Sequence, residues 1–191
     1  MRSPSWVELA GRNAAAEAVC VSGSMRVTGN DDGDVLDEQF DFWHSHGGLW
    51  RIERDGEVVY VSTATGDSLV RIDGRMNRLS GGDVTMVWLG RAFDPLDLLG
   101  LDSLLKKLSV GMAASSPQRT EVDGRLAWAV TLTARTGESI DLVFDDATGV
   151  LVGMSSSSHS GRLVVSNLVE HDRLDDELFS WRGPVTDAPS R

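Results

Sequence analysis

Hydrophobic and polar positions alternate with a period of two along most of this chain. Each run of alternation is cut by a Gly or Asp cluster, which is the pattern of antiparallel strands joined by tight turns. Val19, Val21, Met25 and Val27 outline a first strand that ends in Gly29-Asn30-Asp31-Asp32-Gly33. Phe40 and Phe42 then share a face with His44, while Asp41, Trp43 and Ser45 point the other way. Leu49 to Glu53 follows Gly47-Gly48, and Asp55-Gly56 marks a hairpin before Val58 to Thr63. Ser68 to Ile72 and Arg75 to Leu79 flank a third such turn at Asp73-Gly74, so residues 18–80 read as a β-meander after an N-terminal helix at about 5–17.

The middle of the chain changes period. Between Asp83 and Leu108 the Asp-Gly turns disappear, and Asp94-Pro95 supplies an N-cap with proline at the first helical position. Leu96, Leu99, Leu104, Leu105 and Leu108 recur at helical intervals with a break at Gly100, so 83–108 is predicted as a helical insertion. Alternation resumes over 118–182: Leu126, Trp128, Val130 and Leu132 form one bulky face, and Ile140, Leu142 and Phe144 repeat it. Asp145 to Gly149 turns the chain into Val150 to Met154. The run Ser155 to Ser158 reads as a polar strand end before Leu163-Val164-Val165, and residues 185–191 as a frayed tail. The expectation is one mainly β (α+β) domain over 1–191.

Composition narrows the partners. A formal charge of −11 argues against a surface built to neutralise phosphates, which removes nucleic acid and anionic membranes from the partner list. The 16 Arg against 2 Lys read as the codon bias of a GC-rich genome rather than a binding surface. The lone Cys20 cannot form an internal disulfide and sits in the apolar run Ala18 to Val21, as a small buried hydrophobe would. With no secretory apolar core near Met1 and no run of roughly 20 apolar residues, the chain as written reads as cytoplasmic.

The order of elements resembles the LolA and LolB lipoprotein-carrier superfamily. The residues that carry the resemblance are Asp41-Phe42-Trp43 followed by a Gly turn and Leu49-Trp50, the Asp145 to Gly149 turn, and the terminal Leu178-Phe179-Ser180-Trp181-Arg182-Gly183-Pro184. His46-Gly47 stands where the lipoprotein carrier has an Arg-Pro pair, a departure that bears on cargo rather than fold. The resemblance implies an incomplete β-barrel, a curved antiparallel sheet with a helical lid over its concave face and an apolar cavity for acyl chains beneath. It also implies a place outside the cytoplasm if a leader has been removed. Related domains include actinobacterial lipid-binding lipoproteins and sensory domains that regulate anti-sigma factors.

The chemistry-bearing residues form no recognisable catalytic set. His44 and His46 lie two apart and could share a metal completed by His159 or an acidic residue, but their spacing places no further ligands, so they read as semi-exposed histidines near a strand end and no metal or cofactor is expected. There is no Gly-x-Ser-x-Gly elbow. Asp31, Asp32 and Asp34 lack the spacing of a calcium loop, and Gly81-Gly82 lacks the Lys of a phosphate loop. The six tryptophans are the informative excess. Trp88, at the start of the insertion, leads the candidates for an apolar cavity wall, with Phe40, Phe42 and Trp128 from the sheet and Leu99 and Leu104 from the insertion. The functional expectation is non-catalytic binding or carriage of a lipid, a lipoprotein acyl chain or another apolar molecule. The alternative is a sensory or interaction domain that docks a partner protein's segment.

Overall fold

The computed structural model describes residues 2–31, 34–63, 65–79, 89–108, 112–157 and 161–187. Helix α1 (Trp6–Ala15) leads through a 3-10 turn (Ala16–Ala18) into strands β1 (Cys20–Asp31), β2 (Asp34–Ser45), β3 (Leu49–Arg54), β4 (Glu57–Ser62), β5 (Ser68–Ile72) and β6 (Arg75–Leu79). A 3-10 turn (Pro95–Asp97) and helix α2 (Leu104–Leu108) follow. The chain then forms β7 (Ala113–Ala114), β8 (Gln118–Val122), β9 (Arg125–Thr133), β10 (Ser139–Asp145), β11 (Leu151–Ser156), β12 (Arg162–His171), a 3-10 turn (Asp176–Phe179) and β13 (Thr186–Asp187).

All these strands belong to one open, curved sheet in the order β13-β6-β5-β4-β3-β2-β1-β12-β11-β10-β9-β7, with β8 also on β9. The expected mainly β architecture is therefore present. The two halves of the chain, β1 to β6 and β7 to β12, join through the antiparallel pair β1–β12. Alternation decides the faces as read: Val21, Met25, Val27, Phe40 and Phe42 are buried in one core together with Val130, Leu132, Leu142 and Phe144 from the other half.

Local signals explain the ends of the helices. Ser5 accepts the Glu8 amide at 3.2 Å while the Glu8 carboxylate accepts the Ser5 amide at 2.6 Å, a reciprocal cap that starts α1 one residue after Ser5. Asp94 and Asp97 form the same box around Pro95. In the described part of the insertion, however, the regular helix is shorter than the leucine spacing predicted. Only Pro95–Asp97 and Leu104–Leu108 are helical, and Gly100 breaks the path at a φ of +93°. The reason lies outside the local sequence: the Leu98 carbonyl accepts the Leu151 amide of β11 and the Asn13 side chain of α1, both at 2.9 Å, which takes it out of a helical ladder. Residues 83–88 of the insertion lie outside the described residues.

Three further expectations are corrected. First, the first strand runs past Gly29, where the glycine and aspartate cluster begins, since β1 and β2 pair out to Asp31 and Asp34. Second, residues 172–182 are not strands but a strap across the outer, convex face. Leu174, Leu178 and Phe179 pack on Cys20, Trp43 and Leu49, and Trp181 and Val185 pack on Val58, Val61, Leu69 and Met76. Trp43, which points away from Phe42, is covered by this strap. Third, the segment past Pro184 is tied down through Asp187. β13 pairs in parallel with Asn77 and Arg78 of β6, and Thr186 Oγ1 lies 2.8 Å from Asn77 Oδ1; the apolar ground covered by Trp181 and Val185 brings the chain to that edge.

Candidate functional site

The concave face is built around β2. Phe40 pairs across to Met25, Phe42 to Gly23 and Ile52, and His44 to Val21 and Trp50. Phe40, Phe42 and His44 are all fully buried. The Trp50 ring ties the row together, with its centroid 6.3 Å from that of Phe42 and 4.4 Å from that of His44. On the other half of the sheet Trp128 pairs with Phe144, and Trp6 of α1 lies tilted over Phe144 at 6.2 Å.

The lid is the segment 89–108. Leu98, Leu99, Leu104 and Leu105 enter the same apolar cluster as Phe40, Phe42 and Trp128. The candidates Phe40, Phe42, Trp128, Leu99 and Leu104 are thus brought together from two sheet halves and the lid, all of them buried. Trp88 lies outside the described residues. Trp128 also borders an open surface depression of about 500 Å³ formed with Arg2, Pro4, Pro117 and Arg119.

Several residues that close this face were not singled out from the sequence. Gly90 lies over Phe40 so closely that a Cβ would stand 3.2 Å from Phe40 Cζ and collide with the Phe93 carbonyl. At that edge Arg54 lies 6.0 Å from the Phe40 ring centre, donates to the Leu89 carbonyl at 3.2 Å and pairs with Glu38 at 3.6 Å. Glu38 in turn accepts the Arg91 amide at 2.8 Å. The lid is therefore fastened along a polar rim, and no residue type in that rim distinguishes it in sequence from ordinary surface charge.

At the opposite end the fastener is Asn13, which has no exposure at all. Its Nδ2 donates to the carbonyls of Leu98 at 2.9 Å and Gly149 at 3.0 Å, and its Oδ1 accepts from Ser103 Oγ at 2.9 Å. One carboxamide thus joins α1, the lid and the β10–β11 turn. That turn is itself set by Asp145, whose carboxylate receives two bonds from Arg125, at 2.7 and 3.0 Å, and two from Thr148, at 2.7 and 2.8 Å. Burial pushes the Asp145 carboxyl up, but the bonds from Arg125 and Thr148 outweigh it and hold it below the usual value. The neighbouring Asp146 accepts from the Trp128 indole at 2.6 Å and from Arg12 at 3.2 Å.

The two histidines of interest separate. His44 points into the core and is not semi-exposed as its position near a strand end suggested, because the α1–β1 junction covers it. Its Nε2 lies 3.2 Å from the Glu17 carbonyl, and burial lowers its pKa to about 4. His46 is exposed beyond the end of β2, with Nδ1 3.6 Å from Cys20 Sγ and 3.4 Å from Ser45 Oγ. Cys20 is buried as expected. Burial pushes its thiol up, yet the Ser45 and His46 hydrogen bonds prevail and bring it down to about 7. Among the described residues no three His, Cys, Asp or Glu side chains are grouped to hold a metal. Ser22 with His171 at 2.8 Å and Ser24 with Asp41 at 2.6 Å form separate pairs on the outer face of β1. No helix among the described residues is long and apolar enough to cross a membrane.

No protein-family model matches this chain, and no curated protein does. Solved structures do. MucB in complex with MucA(peri) aligns over 92% of this chain at 19% identity with a TM-score of 0.56, and MucB alone over 92% at 19% identity with 0.55. The MucA/MucB complex of Pseudomonas aeruginosa aligns over 91% at 19% identity, also with 0.55. This chain spans 60 to 62% of the length of those MucB chains. At such identity the likeness is one of fold: the chain shares with MucB the open, curved β architecture that the resemblance to the LolA and LolB superfamily implied.

Proposed function

We propose that this protein is a non-catalytic binding domain that takes up an apolar ligand, a lipid or a lipoprotein acyl chain, between the concave face of its sheet and the lid at residues 89–108. Phe40, Phe42, Leu99, Leu104 and Trp128 are its walls. The observation that carries the reading is the convergence of Phe40, Phe42, Leu99, Leu104 and Trp128 in one apolar cluster, under a segment that Asn13 and Arg54 also tie down by hydrogen bonds to the Leu98 and Leu89 carbonyls. The walls are closed to solvent, so a ligand reaches them only when the lid moves outward. A place outside the cytoplasm goes with this reading.

The test is extraction: protein purified under native conditions is treated with organic solvent, and the lipid released is measured per mole of chain. Stoichiometric lipid, or saturable binding of a fluorescent fatty acid that weakens severalfold in Leu99→Ala, is the expected result. A chain that yields no lipid and binds no fatty acid would end the carrier reading. The second reading, docking of a partner protein's segment on the same face, is favoured by the likeness to MucB, which has been solved with MucA(peri). It expects an extract free of lipid and saturable binding of an extended peptide.

A further inference from the structure

His44 occupies a point where three parts of the fold meet. Its ring is fully buried and lies tilted against Trp50 at 4.4 Å between centroids, with Val21 opposite it on β1. The Nε2 partner is the carbonyl of Glu17, in the 3-10 turn that joins α1 to β1, and a carbonyl only accepts. Nε2 therefore carries the proton of the neutral ring, and Nδ1 is left bare. Nδ1 is a buried side-chain atom without a hydrogen-bond partner; the Leu49 backbone is near enough to favour a charged ring slightly but is not in bonding geometry.

Protonation would put a full charge on the ring in this apolar setting, where the backbone of Glu17 and Leu49 offsets only part of the desolvation cost. The charged or titratable groups around it are few. Glu17 comes from the 3-10 turn, and His46, beyond the end of β2, disfavours a second positive charge. The facing residues Val21 of β1 and Leu49 and Trp50 of β3 carry none. Glu17 is also the residue against which the lid and the β2–β3 turn close: a Cβ on Gly100 or on Gly48 would each come within 3.8 Å of its side chain. The Gly100 amide donates to the Asn13 carbonyl of α1 at 3.0 Å.

We propose that His44 is an acid-sensitive latch: its ring holds a proton more readily once freed from burial, so acid shifts the fold toward a form in which the Glu17 junction has parted and α1 and the lid have lifted together from the concave face. The opening itself needs no ligand. Only its consequence, release of an apolar molecule in acid, rests on the binding function proposed above.

The direction follows from linkage. The ring titrates at about 4 in the closed fold against 6.5 when free, so the open form binds the extra proton between those values. Closure is thus undiminished above pH 6.5 and is lost progressively as pH falls toward 4. For a ring fully freed on opening, the closed-to-open ratio drops roughly twentyfold between pH 7 and pH 5.

Amide hydrogen exchange, corrected for intrinsic rates, tests this on the whole chain. The expected result is a roughly twentyfold loss of protection from pH 7 to pH 5 in α1 and in residues 98–105, with β9 and β10 unaffected. His44→Gln keeps a donor for the Glu17 carbonyl and should abolish the pH dependence, whereas Glu17→Gln should retain it. Should His44→Gln fail to fold, the His44 ring resonances of the wild type are titrated by NMR, and their midpoint must coincide with that of α1 opening. Unchanged α1 protection at pH 5, the same pH dependence in His44→Gln, its loss in Glu17→Gln, or a ring that titrates without α1 opening would each overturn the proposal. None of these readouts uses a ligand, so failure of the latch is distinguishable from failure of the binding reading.

Discussion

The phenyl ring of Phe42 lies against Gly23, its cross-strand partner, so closely that a Cβ on Gly23 would stand 3.1 Å from Phe42 Cζ and 3.2 Å from the Ser166 carbonyl. β1 carries an irregularity at this point, between Ser22 and Ser24 in its pairing with β12, and the ring fills the space that a side chain at residue 23 would need. Phe42 thus serves as packed core in the closed fold. Phe42→Ala should cost roughly 3–5 kcal/mol in urea unfolding, the range for removing a buried aromatic ring. Gly23→Ala, an overpacking change, should cost about 1–3 kcal/mol. A loss well under 1 kcal/mol for Phe42→Ala would mean that the ring is not tightly packed.

The Asn13 clamp should be equally measurable. Asn13→Ala leaves the Gly149 carbonyl and the Ser103 hydroxyl without their partner, while the Leu98 carbonyl keeps Leu151. The expected cost is about 2–4 kcal/mol, with exchange protection lost first in α1 and the lid. Uniform loss across the sheet would show that the three segments are not joined through this residue.

Acid stability should depend on Asp145. Its carboxyl is held below the ordinary aspartate value of 3.8, so its contribution is complete above that pH and is lost as pH falls through the lower folded value. Arg125→Met leaves a buried carboxylate without its cation and should destabilise by about 3–5 kcal/mol at pH 7. It should also shift the midpoint of acid unfolding upward. An unchanged acid midpoint would remove Asp145 from the account.

The strap on the convex face shields Cys20. Phe179→Ala should therefore speed labelling of Cys20 by a disulfide reagent at least tenfold, because Phe179 and Leu174 pack against the thiol. In that variant the rate should rise through pH 7, where the thiolate forms. Equal rates in the variant and the wild type would show that the strap opens freely without the substitution.

Sequence periodicity alone determined the β character of the chain, the face on which Phe40, Phe42, Leu142 and Phe144 lie, and the turns at Asp55-Gly56 and Asp73-Gly74. These depend on strand pleat and on backbone preferences within a few residues, so local pattern is sufficient for them. Tertiary structure alone decided that Leu98 leaves the helical pattern to bond Leu151 and Asn13, and that residues 172–182 cross the outer face as a strap. It also decided that His44 is sealed under Glu17 and that Gly23 makes room for Phe42. Each of these joins groups far apart in the chain, 85 residues in the case of Asn13 and Leu98. The residue types involved, an Asn, a His, a Gly and a few leucines, occur as readily in turns and on surfaces, and their roles arise only from the partner that the folded sheet brings to them.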